Sequence, residues 1–134
     1  SLEHLYDHDV IVSCVDNIST RLLLAEVGLQ LSVPVVEGGV EGFSGFQLSM
    51  KKNYACIGCL WGTGNQVKQD LSILGVTAGY GGILMANQAL QIIILPNSDK
   101  VFGRLHTFNL EDMSFESFPV ERDPDCPMCG TYYT

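Results

Sequence analysis

The sequence predicts an α/β protein built on a mixed sheet, and three features of the chain indicate this fold class. Two apolar segments flank a helix-like segment within about 30 residues, the size of a strand–helix–strand unit. Apolar and polar residues then alternate after Gly39, as in a strand with one face less buried. Finally, no charged residue lies between Asp70 and Asp99, which predicts a buried helix. The 134 residues suit one domain, residues 1–134.

The first half of the chain predicts a parallel unit. A strand is expected within residues 8–17, around a continuous apolar run at 10–12 that is typical of a strand covered on both faces. A helix over residues 18–32 follows, with Asp16 or Asn17 as its N-cap. A second strand at residues 33–39 starts beside Pro34, where proline is tolerated. Successive strands joined by a helix in this way are parallel.

The second half predicts antiparallel strands and one long helix. Residues 42–51 alternate as a strand whose polar face is less buried, and the polar, glycine-bearing residues 62–72 are expected to form a mobile loop. The uncharged helix is expected from about residue 76 to 95, where the sequence PNSD ends it. Residues 101–110 and 114–121 are expected to form a hairpin.

Charge and composition exclude several classes of partner. The net charge is −8, with 15 acidic and 7 basic residues, so neither nucleic acid nor an anionic membrane is an expected partner. The uncharged segment is long enough to span a bilayer, but its four glycines and the polar Asn87, Gln88 and Gln91 favour a helix in a soluble core. The N-terminus lacks the pattern of a signal peptide, and the odd number of five cysteines favours a cytoplasmic location.

Two Cys-x-x-Cys pairs carry the strongest chemical signal. Cys56 and Cys59 form the first pair, and Cys126 and Cys129 form the second. Together they supply four thiolates, which predicts a tetrahedral structural zinc site with no position open for substrate. Redox chemistry and inert or disulfide-bonded cysteines are the alternatives, although a thioredoxin-like motif needs one pair with tryptophan before it, and here Trp61 follows. Cys14 is expected to be a buried core thiol.

Four segments in this order resemble the ThiF/MoeB/HesA family of adenylating enzymes, relatives of the ubiquitin-activating enzymes. The segments are VSCVDNISTR, ACIGCLWG, GVTAGYGGILMANQALQ and DCPMCG. The family motif is a strand ending in Cys-Thr-Asp-Asn before a helix with an early arginine, and this chain has Cys14, Val15, Asp16, Asn17 and Arg21. The resemblance implies the C-terminal half of a Rossmann-like ThiF/MoeB fold, because nothing here corresponds to the family's glycine-rich nucleotide loop.

The resemblance also implies an activity and its residues. Such an enzyme uses ATP and Mg²⁺ to adenylate the C-terminal carboxylate of a ubiquitin-like sulfur-carrier protein in a thiamine- or molybdopterin-type pathway. Asp16 would be catalytic, holding magnesium or positioning the phosphates. Asn17 would order the same pocket, and Arg21 would fix the strand-to-helix turn or approach the nucleotide. By itself the chain is expected to bind ATP poorly and to be inactive.

Two further expectations follow from the same resemblance. Members that form a covalent intermediate carry a cysteine shortly before the long helix, but residues 70–72 contain none, which implies adenylation without that intermediate or sulfur delivery by another protein. Family members usually pair through this half of the fold, so a homodimer is expected. The alternatives are an enzyme of the same family that adenylates a peptide or small carboxylate, and a non-catalytic zinc-stabilised dimerisation or scaffold module.

Overall fold

The computed structural model describes residues 3–61 and 73–132, so the predicted loop at 62–72 lies outside the described residues. The described chain contains five strands and three α-helices, and a short 3-10 helix lies near each end (Glu3–Asp7 and Cys129–Tyr132). The strands are β1 (Ile11–Ser13), β2 (Val35–Glu41), β3 (Ser44–Met50), β4 (Arg104–Asn109) and β5 (Ser114–Pro119), and the helices are α1 (Ile18–Leu31), α2 (Ile57–Trp61) and α3 (Gly75–Ile94).

All five strands form one mixed sheet in the order β1-β2-β3-β4-β5. β1 and β2 are parallel, with Ile11 opposite Val35 and Ser13 opposite Glu37. The pairs β2–β3, β3–β4 and β4–β5 are antiparallel, so the chain continues from the parallel unit as an antiparallel meander. The predicted fold class, the parallel strand–helix–strand unit and the final hairpin are therefore confirmed.

Local sequence explains the bounds of α1. Asn17 is the N-cap, and its side-chain oxygen accepts a hydrogen bond from the Thr20 amide (2.8 Å), which satisfies one of the amides left free at a helix start. Ser32 ends the helix in the left-handed conformation (φ 57°). Gly28 lets α1 pack closely on β2, because a Cβ there would lie 2.2 Å from Cγ2 of Val35.

The sheet is covered on both faces, but not evenly. On the α1 face, Ala25 and Leu29 of α1 pack with Val35, Leu48 and the buried cysteines in one core. On the α3 face, Met85 and Ala89 pack against Val36. β1 was expected to be buried on both faces, and this was wrong, because Val12 is 41% exposed. α3 packs over β2 and β3, so the Val12 side of the edge strand β1 is left partly open.

The expected exposure of the polar face of β3 was also wrong. Gln47 and Ser49 are completely buried, because α3 covers this face. Gln47 Nε2 donates to Ser49 Oγ (2.9 Å), and Ser49 Oγ in turn lies 3.4 Å from Gln88 Oε1 on α3. These contacts satisfy part of the hydrogen-bonding capacity that burial removes from water.

α3 is the predicted buried helix, but only one of its faces is buried. Its inner face, which includes Gly81, Met85 and Gln88, packs on the sheet. Its outer face is apolar and open, and it exposes the side chains of Val76, Ile83, Leu90, Ile93 and Ile94. An uncharged sequence therefore signalled two apolar faces, of which the sheet covers only one.

Two remaining expectations concern Cys14 and the membrane. Cys14 is exposed and not buried, because β1 ends at Ser13 and the thiol lies beyond the sheet. Within residues 3–61 and 73–132, no helix combines the length and hydropathy needed to cross a bilayer.

Candidate functional site

The four cysteines of the two Cys-x-x-Cys pairs converge on one point. Their sulfur atoms all lie within 4.8 Å of one another. The Sγ–Sγ distances are 3.9 Å for Cys56–Cys59, 3.7 Å for Cys56–Cys126 and 3.4 Å for Cys59–Cys129. Tetrahedral zinc with Zn–S bonds of about 2.3 Å requires sulfur–sulfur distances of about 3.8 Å. The donor set and its spacing therefore fit a four-coordinate metal ion.

Each pair is shaped by a tight backbone turn. The Cys59 amide donates to the Cys56 carbonyl (3.0 Å), and the Gly130 amide donates to the Cys126 carbonyl (3.0 Å). Amides also point at sulfur, from Asp123 to Cys59 Sγ (3.4 Å) and from Cys129 to Cys126 Sγ (3.5 Å). Such contacts stabilise negative charge on a thiolate, so the backbone is arranged for sulfur anions.

Gly58 permits the close packing of the two turns. A Cβ at this position would lie 3.0 Å from Cβ of Met128 and 3.1 Å from Sγ of Cys126. The second pair could not approach the first so closely if a side chain stood there. Glycine inside the first Cys-x-x-Cys pair is thus part of the cluster's construction.

Burial makes the ionised, thiolate form of this cluster unfavourable unless a cation is bound. Cys56, Cys126 and Cys129 are buried, and Cys59 is half-buried. Burial raises the pKa of Cys56 to about 12, and it also raises the pKa of Cys129. Burial opposes ionisation of Cys126 as well, but the amides of Cys129 and Met128 bring the pKa of that thiol below its ordinary value. A bound metal ion supplies the positive charge that lets four neighbouring sulfurs ionise together.

The Asp16–Asn17 pair lies directly after β1, at the carboxyl end of a parallel strand. Asn17 caps α1 and also accepts from Ser19 Oγ (2.8 Å), so the cap position belongs to Asn17 and not to Asp16. Asn17 Nδ2 donates to Asp16 Oδ1 (3.4 Å), and the Asp16 side chain is exposed. Parallel strands of open α/β sheets present ligand-binding groups at this end. Asp16 is therefore available to a ligand.

Arg21 bridges α1 and β2. Its Nη1 donates to Glu37 Oε1 and to the Gly38 carbonyl oxygen, and its guanidinium carbon lies 6.0 Å from the centre of the Phe46 ring. Glu37 is completely buried opposite Ser13, the last residue of β1. Burial raises the pKa of the Glu37 carboxyl, and the Arg21 guanidinium opposes that rise. Arg21 thus joins the first turn of α1 to β2.

Sequence reasoning found the four cysteines but missed Glu37. The structure brings the four cysteines together on the α1 face. It places Asp16 and Asn17 just beyond the carboxyl end of β1, and it holds Arg21 against β2 at Glu37 and Gly38. One signal could have identified Glu37: it is the single charged residue in the segment VPVVEGG, which was predicted to be a strand. A charge inside an apolar strand needs a partner, and Arg21 is one.

Comparison with known proteins places this geometry in a family. The ThiF family model matches residues 1–128. The chain is 32% identical over 127 residues to the SAMP-activating enzyme E1 of Haloferax volcanii, a match that covers 91% of this chain and 47% of that protein. It is 27% identical over 125 residues to the sulfur carrier protein ThiS adenylyltransferase of Escherichia coli, covering 91% of this chain and 50% of that protein.

A solved structure has the same fold. The crystal structure of E. coli MccB with MccA-N7isoASN superposes with a TM-score of 0.76 at 12% sequence identity, covering 96% of this chain and 42% of that one. The chain spans about half the length of the curated relatives that it matches. The sequence prediction of a ThiF/MoeB-type fold is therefore confirmed.

Proposed function

Because this chain belongs to the ThiF family, we propose that it forms the C-terminal half of an ATP-dependent adenylyltransferase acting on the C-terminal carboxylate of a ubiquitin-like sulfur-carrier protein. The observation that carries the proposal is an exposed aspartate, Asp16, at the carboxyl end of a parallel strand of a ThiF-family fold. Relatives named as a ThiS adenylyltransferase and a SAMP-activating enzyme support the substrate class. ATP and reduced thiol ligands both favour a cytoplasmic location.

In this proposal the residues beside β1 bind and orient the nucleotide. In the reaction a carboxylate oxygen of the substrate forms a bond to the α-phosphorus of ATP and pyrophosphate leaves; a magnesium ion held at Asp16 would neutralise phosphate charge. Asp16 offers hard carboxylate oxygens, the type of ligand that Mg²⁺ prefers. Asn17 Nδ2 donates to that carboxylate, and Asn17 Oδ1 accepts from the Thr20 amide and so fixes the start of α1. Arg21 anchors the same turn to β2.

We assign the cysteine cluster a structural zinc ion. All four positions are filled by sulfur, which leaves no site for substrate or water. The cluster also lies in the core on the α1 face, so the ion would fasten residues 126–129 to α2 and α1. This role is compatible with an enzyme and with the scaffold alternative, so it does not itself decide between them.

The test of the proposed reaction is pyrophosphate exchange into ATP by the full-length protein that contains this chain. We expect exchange that depends on a carrier protein ending in Gly-Gly and that is lost when the carrier's last residue is removed. Exchange supported only by a peptide or small carboxylic acid would instead favour that rival substrate class. If the protein retains its metal but catalyses no exchange with any of these substrates, the proposed enzymatic activity is contradicted and the scaffold alternative is favoured.

We further propose that the protein is a homodimer joined through the outer face of α3. Val76, Ile83 and Leu90 repeat every seven residues on this face, and Ile83 is 73% exposed. The chain carries a net charge of −8, which opposes self-association over most of its surface. α3 itself has no charged residue, so two copies can meet there without like-charge repulsion. A contiguous apolar face of this kind is typical of an interface.

Replacing Ile83 with glutamate should dissociate this dimer. A buried carboxylate without a partner would raise the dimer dissociation constant on the order of 100-fold. The measurement is sedimentation equilibrium over a range of protein concentrations. The matched control is Met113→Glu, because Met113 is 64% exposed and lies in the β4–β5 turn, not on α3. A wild-type protein that sediments as a monomer, or an Ile83→Glu variant that still dimerises, contradicts the proposed interface.

A further inference from the structure

The geometry points to Glu37 as a positioning residue that fixes the Arg21 guanidinium so that its remaining N–H groups bind an anionic oxygen of the ligand. This inference rests on the proposed function and extends it. The anionic oxygen belongs either to a phosphate of ATP or to the carboxylate that is activated, since both present the same chemistry to a guanidinium. Glu37 itself does not touch the ligand.

The first step concerns the burial of Glu37. Its side chain is completely buried in β2, and burial raises the pKa of its carboxyl. Replacing a buried ion pair with apolar residues is often neutral or stabilising, so stability alone does not explain a carboxylate at this place. The ion pair does, however, determine where the guanidinium sits, because Arg21 must turn toward Glu37 to neutralise it.

The second step concerns how tightly Arg21 is held. Nη1 uses its hydrogens on Glu37 Oε1 and the Gly38 carbonyl. The Phe46 ring lies on one side of the guanidinium. Gly39 lies on another, because a Cβ there would be 3.2 Å from Nη2 and 3.3 Å from Nη1. Few rotamers remain to a side chain held in this way, so little entropy is lost when it binds a ligand.

The third step concerns the donors that remain. A guanidinium has five N–H groups, and the Nε–Nη2 edge can donate two parallel hydrogen bonds to a carboxylate or phosphate. Within residues 3–61 and 73–132, neither Nε nor Nη2 of Arg21 donates a hydrogen bond. The side chain is 15% exposed, so part of it reaches the surface. Glu37, which holds Arg21, lies opposite Ser13, the last residue of β1, and Asp16 follows Ser13 by three residues.

A double-mutant cycle in the full-length protein tests this inference. The variants are Arg21→Ala, Glu37→Ala and their combination, and the readouts are the Kd of ATP and the KM of ATP and of the carboxylate substrate. We expect Arg21→Ala to weaken the binding of one of the two ligands ~10- to 100-fold, because the charge-assisted hydrogen bonds to that ligand are lost. Glu37→Ala should weaken the binding of the same ligand ~10-fold. In the Arg21→Ala background the same change should weaken that binding by less than a further ~2-fold. The ligand affected identifies the source of the anionic oxygen.

Rescue and controls separate positioning from a general loss of structure. Glu37→Gln keeps an oxygen that accepts from Arg21, so its affinity should stay within ~3-fold of wild type. Glu111→Ala removes an exposed glutamate in the β4–β5 turn and should change none of these three constants. Thermal unfolding and metal content are measured for every variant, so that a folding defect is recognised.

The outcomes distinguish this inference from the proposed function. Additive effects in the cycle, or a Glu37→Ala variant that lowers only the unfolding temperature, would overturn the positioning role while exchange persists. Ligand binding without exchange would instead overturn the proposed function. The positioning role of Glu37 would then be decided by the double-mutant cycle measured in Kd. A wild-type protein that binds neither ATP nor any carboxylate substrate would overturn both.

Discussion

Cys126→Ser is expected to destroy the metal site and unfold most of the α1 face of the protein. Binding of structural zinc to four thiolates is worth on the order of 10 kcal/mol, which is comparable to the whole stability of a domain of this size. The cluster is part of the core that also contains Ala25, Leu29 and Leu48, so loss of the ion exposes apolar packing as well as sulfur. No other change that we describe should destabilise the chain so much.

The measurements are metal content and thermal unfolding of protein purified without chelator. We expect about one zinc per wild-type chain and less than a tenth of that in the variant, together with loss of the cooperative unfolding transition. Cys14→Ser is the matched control, because Cys14 is an exposed cysteine outside the cluster. Wild-type protein without metal, or a Cys126→Ser variant that unfolds at the wild-type temperature, would refute the metal assignment.

Asp16→Ala should abolish adenylation and leave the fold intact. The Asp16 carboxylate would hold magnesium or the phosphates, and loss of several kcal/mol of charge stabilisation corresponds to at least ~100-fold slower exchange. The fold should tolerate the change, because Asp16 is exposed and the α1 cap is supplied by Asn17. Activity and stability are therefore expected to separate in this variant.

Pyrophosphate exchange and thermal unfolding of the full-length variant check this separation. The control is Glu116→Gln, which removes an exposed carboxylate from β5, the edge strand opposite β1. This variant should catalyse exchange at the wild-type rate. Undiminished exchange by Asp16→Ala would remove Asp16 from the nucleotide site. A strongly lowered unfolding temperature would instead show that Asp16 has a structural role that its exposure does not reveal.

The sequence was most informative where spacing constrains geometry. Two Cys-x-x-Cys pairs admit few arrangements, and the observed sulfur distances match the tetrahedron predicted from them. The apolar run before Asp16 and the proline before β2 likewise indicated strands that the structure contains. These signals are local, so they can be interpreted without knowing which elements pack together.

The sequence was least informative where burial depends on distant elements. Whether Val12 or Gln47 is buried depends on which strands α3 covers, and no local pattern specifies that. The ion pair between Arg21 and Glu37 joins residues 16 positions apart on different elements, so the sequence indicates that Glu37 needs a partner but does not identify Arg21 as that partner. Cys14 was misplaced because β1 ends at Ser13, so the Cys14 thiol lies beyond the sheet.

The separation of the two cysteine pairs has a consequence for how the chain folds. The pairs are 70 residues apart, so the second pair must diffuse back across the strands β4 and β5 before it reaches the first. Closing so long a loop is slow and entropically costly, and long-range contacts of this kind limit folding rates. We expect the first pair to hold an ion with two sulfurs early, and full coordination to follow only after β4 and β5 have formed. An ion bound by all four sulfurs would then slow the unfolding of the segment between the two pairs, residues 56–129.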